Sequence, residues 1–237
     1  MGRERLDRCR HVVGIVGANG DNRVVSSCCD PAGYQATFGV RFARRMARRY
    51  RKRGLARTQQ RMLGFLTERG IQGATILEIG GGVGEFQVEL LRRGAASATN
   101  LEISTHYEEE ALRLLDEAGL RGRAIRRRHD IATAPETVED ADVVVLHRVV
   151  CCYADYERLL AAAGSHARQL LVFSYPPRNL VTRIALGLDT LAQRLRRNDF
   201  RSYIHPPQAM IAVLQAQGLT PRFHHHGTVW DVAGLER

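Results

Sequence analysis

Three glycines at alternate positions are the most chemically informative feature of the sequence. Gly80, Gly82 and Gly84 follow a short apolar run that ends at Glu78, and a helical pattern begins at Glu85. A chain that turns sharply from strand to helix against a ligand needs residues without a Cβ, because the backbone takes unusual dihedral angles and approaches the ligand closely. The two carboxylates disfavour a pyrophosphate at a helix N-terminus. The turn is therefore predicted to hold a ligand that is positively charged there.

Two further carboxylates follow the next two predicted strands. Glu102 lies 18 residues after Gly84, where an acidic group can accept hydrogen bonds from both hydroxyls of an adenosine ribose. Asp130 follows the third predicted strand and is placed to accept a hydrogen bond from an adenine amino group. S-Adenosylmethionine has a sulfonium, an ammonium and no phosphate, which makes it the predicted cofactor. Its predicted binding residues are Glu78, Gly80, Gly82, Gly84, Glu102 and Asp130.

The loop after the fourth predicted strand carries the main candidates for catalysis. Methyl transfer from a sulfonium is an in-line displacement, so the protein mainly aligns the acceptor with the methyl group in a water-poor cleft. Ligands of open parallel sheets lie beyond the carboxyl ends of the strands, which selects His147 and Tyr153 in this loop. His147 is the first candidate for a base or an acceptor contact. His205, before a helix that begins with prolines, is a third candidate. A structural hydrogen-bonding role is the alternative.

The histidine and cysteine clusters lead us to expect no metal site. His224, His225 and His226 lie in a predicted strand, where neighbouring side chains point to opposite faces, so the three do not easily converge on one ion. The adjacent pairs Cys28–Cys29 and Cys151–Cys152 lack the spacing that metal ligands usually have. Thiols that line the cleft are the favoured interpretation, and a four-thiolate site is the alternative.

From residue 74 onwards, short apolar strands alternate with helical segments, which is typical of an α/β fold with a doubly wound, Rossmann-like sheet. The seven predicted strands are Thr75–Ile79, Ala98–Ile103, Ala124–Arg128, Val143–Leu146, Gln169–Ser174, Pro221–His226 and Thr228–Leu235. Helices are predicted at about 84–94, 107–119, 155–165 and 207–217. An extra amphipathic segment at about 179–197 is interpreted as a substrate lid, as a helix that packs on the core, or as an interfacial membrane helix.

The net charge of +10 is concentrated in residues 28–70, which carry eleven basic and two acidic side chains. Two helices are predicted there, at 37–53 and 55–69, and together they form an Arg-rich N-terminal cap. The first helix has an apolar stripe that consists of Phe38, Phe42, Met46 and Tyr50.

The remaining bulk properties exclude several classes of protein. No apolar run approaches the roughly 20 residues that a membrane-spanning helix needs, and no signal-type segment precedes the domain. Five cysteines make an odd count and a poor disulfide framework. We therefore expect reduced thiols and a cytoplasmic protein, with residues 1–27 as a flexible leader. The oligomeric state is not predicted.

The glycine-rich segment resembles the first motif of class I S-adenosylmethionine-dependent methyltransferases, acidic-x-Gly-x-Gly-x-Gly. This resemblance covers about 71–237 as the methyltransferase domain. It implies the strand order 3-2-1-4-5-7-6 with strand 7 antiparallel. The segments 28–34 and 149–153 are also similar to magnesium-protoporphyrin O-methyltransferases. Cys28 and Cys152 stand where that family has its candidate catalytic tyrosine and histidine, so only the methyl donor is carried over from it.

The sequence thus predicts a methyltransferase, a transferase of class 2.1.1, that acts on a small-molecule acceptor. One alternative is a nucleic-acid methyltransferase that uses the Arg-rich cap to bind phosphates. This alternative has less support because the Arg helix lacks interleaved aromatic residues for base stacking. The other alternative is a non-catalytic adenosyl-binding interaction domain.

Overall fold

The computed structural model describes residues 34–195, 198 and 200–237. The predicted leader at 1–27 and the pair Cys28–Cys29 lie outside the described residues. Among the residues described, no helix has the length and apolar character needed to cross a lipid bilayer.

Seven strands form one sheet in the order β3-β2-β1-β4-β5-β7-β6. They are β1 (Thr75–Ile79), β2 (Ser97–Glu102), β3 (Ala124–Arg128), β4 (Ala141–Leu146), β5 (Ala167–Tyr175), β6 (Thr220–His225) and β7 (Asp231–Glu236). Strands β1 to β5 are parallel to one another, and β7 is antiparallel to both β5 and β6. The predicted fold class and strand order are confirmed.

Eight α-helices accompany the sheet within the described ranges. They are α1 (Tyr34–Thr37), α2 (Val40–Arg53), α3 (Arg57–Glu68), α4 (Glu85–Arg92), α5 (Glu108–Glu117), α6 (Tyr156–Ser165), α7 (Leu180–Leu195) and α8 (Pro207–Ala216). The central strands are apolar on both faces, and Val144, Val145 and Leu146 of β4 are fully buried. Burial of both faces is expected for parallel strands that helices cover.

The two predicted cap helices share a core with the sheet. In α3, Met62 and Leu66 are completely buried and Phe65 nearly so, and this helix packs against β5 and β7. The apolar stripe of α2 packs against the same cluster. The boundary predicted at residue 70 therefore does not separate two independent cores.

Part of the basic surface of α2 is paired with acidic side chains of α5. Arg51 Nη1 lies 3.2 Å from Glu110 Oε2, and Arg51 Nη2 lies 2.8 Å from Glu117 Oε1. These ion pairs fix α2 against the body of the protein. They also neutralise positive charge of Arg51 that could otherwise bind the phosphates of a nucleic acid.

Helix α7 presents its apolar face to solvent. Six of its seven large hydrophobic residues are more than half exposed, and they are Leu180, Val181, Ile184, Leu188, Leu191 and Leu195. The interpretation that this face packs on the core is therefore wrong for the described residues, whereas the lid and interfacial interpretations stay untested.

Candidate active site

The glycine-rich turn between β1 and α4 takes a backbone conformation that favours glycine. The φ angle is +63° at Gly80, +56° at Gly82 and +75° at Gly84. A Cβ at Gly80 would lie 2.6 Å from the side chain of Val149, in the loop after β4. The turn thus combines left-handed dihedral angles with a close approach to the neighbouring loop.

Glu102, at the end of β2, holds the turn in place. Its Oε2 accepts a hydrogen bond from the Gly82 N–H at 2.9 Å, and its Oε1 accepts from the N–H groups of Ile103 and Ser104. Tyr34 also donates to Oε1, at 3.3 Å. Burial raises the pKa of Glu102, and the backbone hydrogen bonds oppose that rise. Because Oε2 has one such partner, it keeps acceptor capacity for a ligand hydroxyl.

Asp130 and Tyr153 meet at the opposite side of the turn. The Tyr153 hydroxyl donates to Asp130 Oδ2 at 2.9 Å, and Asp130 Oδ1 accepts from the Ala132 N–H at 3.0 Å. Two residues predicted for separate roles, one for the cofactor and one for catalysis, therefore form one hydrogen-bonded pair.

His147 directly follows β4 and is held by Ser174 of β5. The distance from His147 Nδ1 to Ser174 Oγ is 3.1 Å, and the same hydroxyl oxygen accepts from the Arg148 N–H at 2.9 Å. Burial, followed by the charges of Arg148 and Arg49, lowers the pKa of His147 to about 3. The imidazole is therefore neutral at physiological pH and is a weak base in the empty cleft.

Two buried carboxyl groups beside the turn form no ion pair within 4.0 Å among the described residues, although the charges of Arg126 and of Arg148 and Arg49 act on them from further away. Glu78 Oε2 accepts from Asn100 Nδ2 at 3.1 Å, and burial together with the charge of Glu85 raises the pKa of Glu78 to about 8. Glu85 Oε1 accepts from Gln59 Nε2 at 2.9 Å, whereas Glu85 Oε2 is buried without a hydrogen-bond partner. Buried acceptors without partners are costly. A positively charged ligand beside them fits these residues.

These groups line one cavity of about 310 Å³, a size within the range of small-molecule sites. Seven of the nine predicted site residues line it, and they are Glu78, Gly80, Gly82, Glu102, Asp130, His147 and Tyr153. Gly84 lies just outside the lining, at the start of α4.

His205 does not line this cavity. Its Nε2 lies 3.2 Å from the carbonyl oxygen of Val150 and 3.0 Å from that of Tyr153, and its side chain is buried. A ring nitrogen between two carbonyl acceptors acts as a donor, so this contact holds the loop after β4. The geometry favours the structural role for His205.

Sequence patterns missed three cationic side chains of the cavity. Arg45 and Arg49 of α2 line it together with Arg148. Arg148 has a φ of +60°, and its guanidinium carbon lies 4.7 Å above the ring centre of Trp230. The four-residue spacing of Arg45 and Arg49 was a usable signal, because residues so spaced share a helix face. The surrounding run of arginines concealed it.

In the cysteine cluster, the structure brings two thiols together. In the histidine cluster, it brings two imidazoles together with a carboxylate. Cys151 Sγ and Cys152 Sγ lie 3.6 Å apart as free thiols, and Cys152 lines the cavity. In the histidine run, His224 and His226 face the carboxylate of Asp231. The three histidines do not meet as a set, but residues two apart in a strand share a face, so His224 and His226 lie together beside Asp231, which the sequence argument did not consider.

Comparisons with known proteins identify the family of this chain. A family model described as a methyltransferase domain matches residues 46–228. The chain belongs to this family and is a class I S-adenosylmethionine-dependent methyltransferase. A search of curated proteins found no significant match.

Several solved structures share the fold at low sequence identity. Magnesium protoporphyrin IX methyltransferase from Synechocystis PCC 6803, with bound SAH, is 17% identical with a TM-score of 0.61, covering 99% of this chain and 93% of that one. An O-methyltransferase family protein from Burkholderia thailandensis is 18% identical with a TM-score of 0.66, covering 86% and 62%. A putative RNA methyltransferase from Pyrococcus horikoshii is 12% identical with a TM-score of 0.54, covering 76% and 81%.

Proposed function

We propose that this methyltransferase acts on a small acceptor that carries a negative charge. The observation that supports this proposal is the set of three arginines, Arg45, Arg49 and Arg148, that line the same cavity as the glycine-rich turn. None of the three has a carboxylate within 4.0 Å among the residues described. Arginine binds carboxylates and phosphates in a planar, two-point arrangement. An anionic acceptor would supply the missing partners.

Carboxylates that line the same cavity are proposed to hold S-adenosylmethionine. Glu102 would accept hydrogen bonds from the ribose hydroxyls, and Asp130 from the adenine amino group. Glu78 and Glu85 would face the positively charged part of the cofactor, with the glycine turn allowing close approach. When bound, S-adenosylmethionine supplies an electrophilic methyl group with a neutral sulfide as leaving group.

His147 is proposed to contact the acceptor, because it lines the cavity and directly precedes Arg148 in the loop after β4. Because the imidazole is neutral, we propose that its main role is to form a hydrogen bond with the acceptor, not to act as a base. A negatively charged acceptor beside Arg49 and Arg148 would offset the two charges that, after burial, lower the pKa of His147, so this pKa is expected to be less depressed when the acceptor is bound. Tyr153 would act through Asp130, to which its hydroxyl donates.

A paired-acceptor assay tests the charge requirement. Methyl-labelled S-adenosylmethionine is incubated with small hydroxyl- and amine-bearing acids and with their neutral amides. Label is expected in the acids. In the variant Arg49→Gln, KM for the acid should rise about tenfold or more, because a charge-assisted hydrogen bond contributes about 1.5–3 kcal/mol. Arg48→Gln is the matched control, since Arg48 neighbours Arg49 on α2 but does not line the cavity. Equal labelling of amides, or an equal effect of Arg48→Gln, would contradict the proposal.

The nucleic-acid alternative has weaker support than a small acceptor. Arg51 and Arg44 of α2 are engaged with acidic residues of α5, and Arg45 and Arg49 line the cavity. Fewer basic groups are therefore left for a phosphate backbone. Salt-sensitive retention of the protein on RNA or DNA would reverse this preference. Cytoplasmic localisation remains a prediction from the sequence.

A further inference from the structure

Three metal-binding side chains meet where β6 ends and β7 begins. The ligand atoms of His224, His226 and Asp231 all lie within 4.8 Å of one another. Asp231 Oδ2 is 3.9 Å from His224 Nε2 and 3.7 Å from His226 Nδ1. Two imidazole nitrogens and one carboxylate oxygen are a donor set that suits divalent first-row transition ions. We propose that this cluster binds one such ion, with Zn²⁺ as the representative case.

The strand geometry explains why the cluster forms. His224 and His226 are two residues apart, so their side chains emerge on the same face, and His225 between them belongs to the other face. Asp231 opens the antiparallel partner strand β7. Its Oδ1 accepts from the Gly227 N–H at 2.9 Å, which leaves Oδ2 directed at the two imidazoles. A carboxylate that is held by a backbone donor in this way is a fixed ligand.

Exposure and spacing both permit an ion to enter. The side chains of His224 and His226 are 41% and 80% exposed, whereas that of Asp231 is 7% exposed. Ligands of tetrahedral zinc lie about 2.0–2.2 Å from the ion, hence roughly 3.3 Å apart. The two distances from Asp231 would therefore shorten by about half an ångström, and the distance between the imidazole nitrogens by up to about 1.5 Å. Water completes the coordination on the exposed side. The ion would replace the present contact of 2.8 Å between His224 Nε2 and the Tyr175 hydroxyl.

The position of the cluster gives it a local reporter. Trp230 is the only tryptophan of the chain and directly precedes Asp231. Its ring lies under Arg148, which lines the cavity. An ion that joins β6 to β7 would fix the turn at 227–230. It would thereby fix the ring of Trp230, on which the guanidinium of Arg148 packs. The proposal does not depend on the methyl acceptor.

A quenching experiment on the tag-free, full-length protein tests the site. Co²⁺ is added while the fluorescence of Trp230 is followed, and the binding of Zn²⁺ is measured by calorimetry. We expect one ion per chain and quenching by Co²⁺ that Zn²⁺ reverses. His226→Ala should weaken binding at least tenfold, since even the loss of a group that only supports a ligand costs about 10–100-fold in affinity. His225→Ala is the matched control and should bind like the unaltered protein.

Three results would overturn the proposal. They are no binding of either ion, zinc binding that His226→Ala leaves unchanged, and equal weakening by His225→Ala and His226→Ala. The second result would place the ion at the cysteines instead. Because His226 is exposed, its replacement leaves the fold intact, and circular dichroism of both variants verifies this.

Discussion

Glu78 has a carboxyl group that a bound cation is expected to ionise. It is buried at the end of β1, and its pKa is raised to about 8 by burial and by the charge of Glu85, while Arg126 acts in the opposite direction. In the unliganded protein the group is therefore largely protonated at neutral pH. A cationic ligand beside it lowers this pKa, so the binding of that ligand and the loss of the proton are coupled.

This coupling predicts how cofactor affinity depends on pH. The affinity for S-adenosylmethionine should increase as the pH rises towards 8 and should level off above it, with a slope of up to about tenfold per pH unit. In the Glu78→Gln variant this part of the rise should be absent. Calorimetric titrations across this range provide the measurement. Equal pH profiles for the two proteins would show that Glu78 does not face the cationic part of the cofactor.

The turn glycines allow backbone strain and steric contact to be separated. Gly80 and Gly119 have nearly the same φ, +63° and +67°, but a Cβ meets Val149 only at Gly80 and has open space at Gly119. Gly119→Ala should cost about 1–2 kcal/mol of stability, the cost of the left-handed conformation alone. Gly80→Ala should cost more and should also weaken cofactor binding. Thermal unfolding with and without S-adenosylhomocysteine compares them, and similar losses in both variants would contradict the role given to Val149.

At the residue scale, the sequence identified the carboxylates that line the cavity better than the arginines that line it. Carboxylates after successive parallel strands must meet at one sheet edge, so Glu102 and Asp130 were readable from the order of elements. Arg148 was not, because its place in the cavity depends on the path of a loop. Long-range placement of single side chains leaves no periodic signal.

At the scale of elements, strand periodicity predicted every strand, and the ends shifted by up to three residues. The strand β3 had the weakest pattern because it carries three consecutive arginines. One of them, Arg126, is 4% exposed and donates from Nη2 to the Gly82 carbonyl at 2.8 Å. In the sequence, a buried arginine that supports the glycine-rich turn cannot be distinguished from a charge that faces solvent. The alternation of apolar and polar residues expected of a strand is therefore weak in β3.

Helix α7 has a clear sequence pattern that nevertheless misleads about burial. A regular apolar stripe predicts a helix but does not show whether that stripe is covered by the core. Leu188 is 62% exposed, whereas Leu214 of α8 is completely buried. Leu188→Gln should therefore change the free energy of unfolding by less than about 0.5 kcal/mol. Leu214→Ala should cost about 2–5 kcal/mol. Urea unfolding measures both. A loss of several kcal/mol for Leu188→Gln would mean that α7 is covered in solution, by the core or by another chain.

At the scale of the whole molecule, the cap and the sheet form one hydrophobic cluster. Met62 of α3 and Val172 of β5 belong to the same cluster of buried side chains, although 110 residues separate them. The sequence predicted the helices of this cap but treated them as an appendage, because the arginines on their outer face dominated the composition. The apolar inward face of α3 indicates that the cap and the sheet unfold together. This follows only from the structure, in which α3 packs against β5 and β7.

A shared core predicts a single unfolding transition. Met62→Ala and Leu171→Ala each remove a completely buried side chain, one from the cap and one from the sheet, and each should cost about 2–5 kcal/mol. Both variants should lower the midpoint of the same transition, whether it is followed by helical circular dichroism or by the fluorescence of Trp230 in the turn before β7. If the cap folded independently, Met62→Ala would shift the helical signal and leave that of Trp230 in place. Coincident midpoints in both variants are the expected outcome, because α3 covers the sheet that carries the cofactor turn.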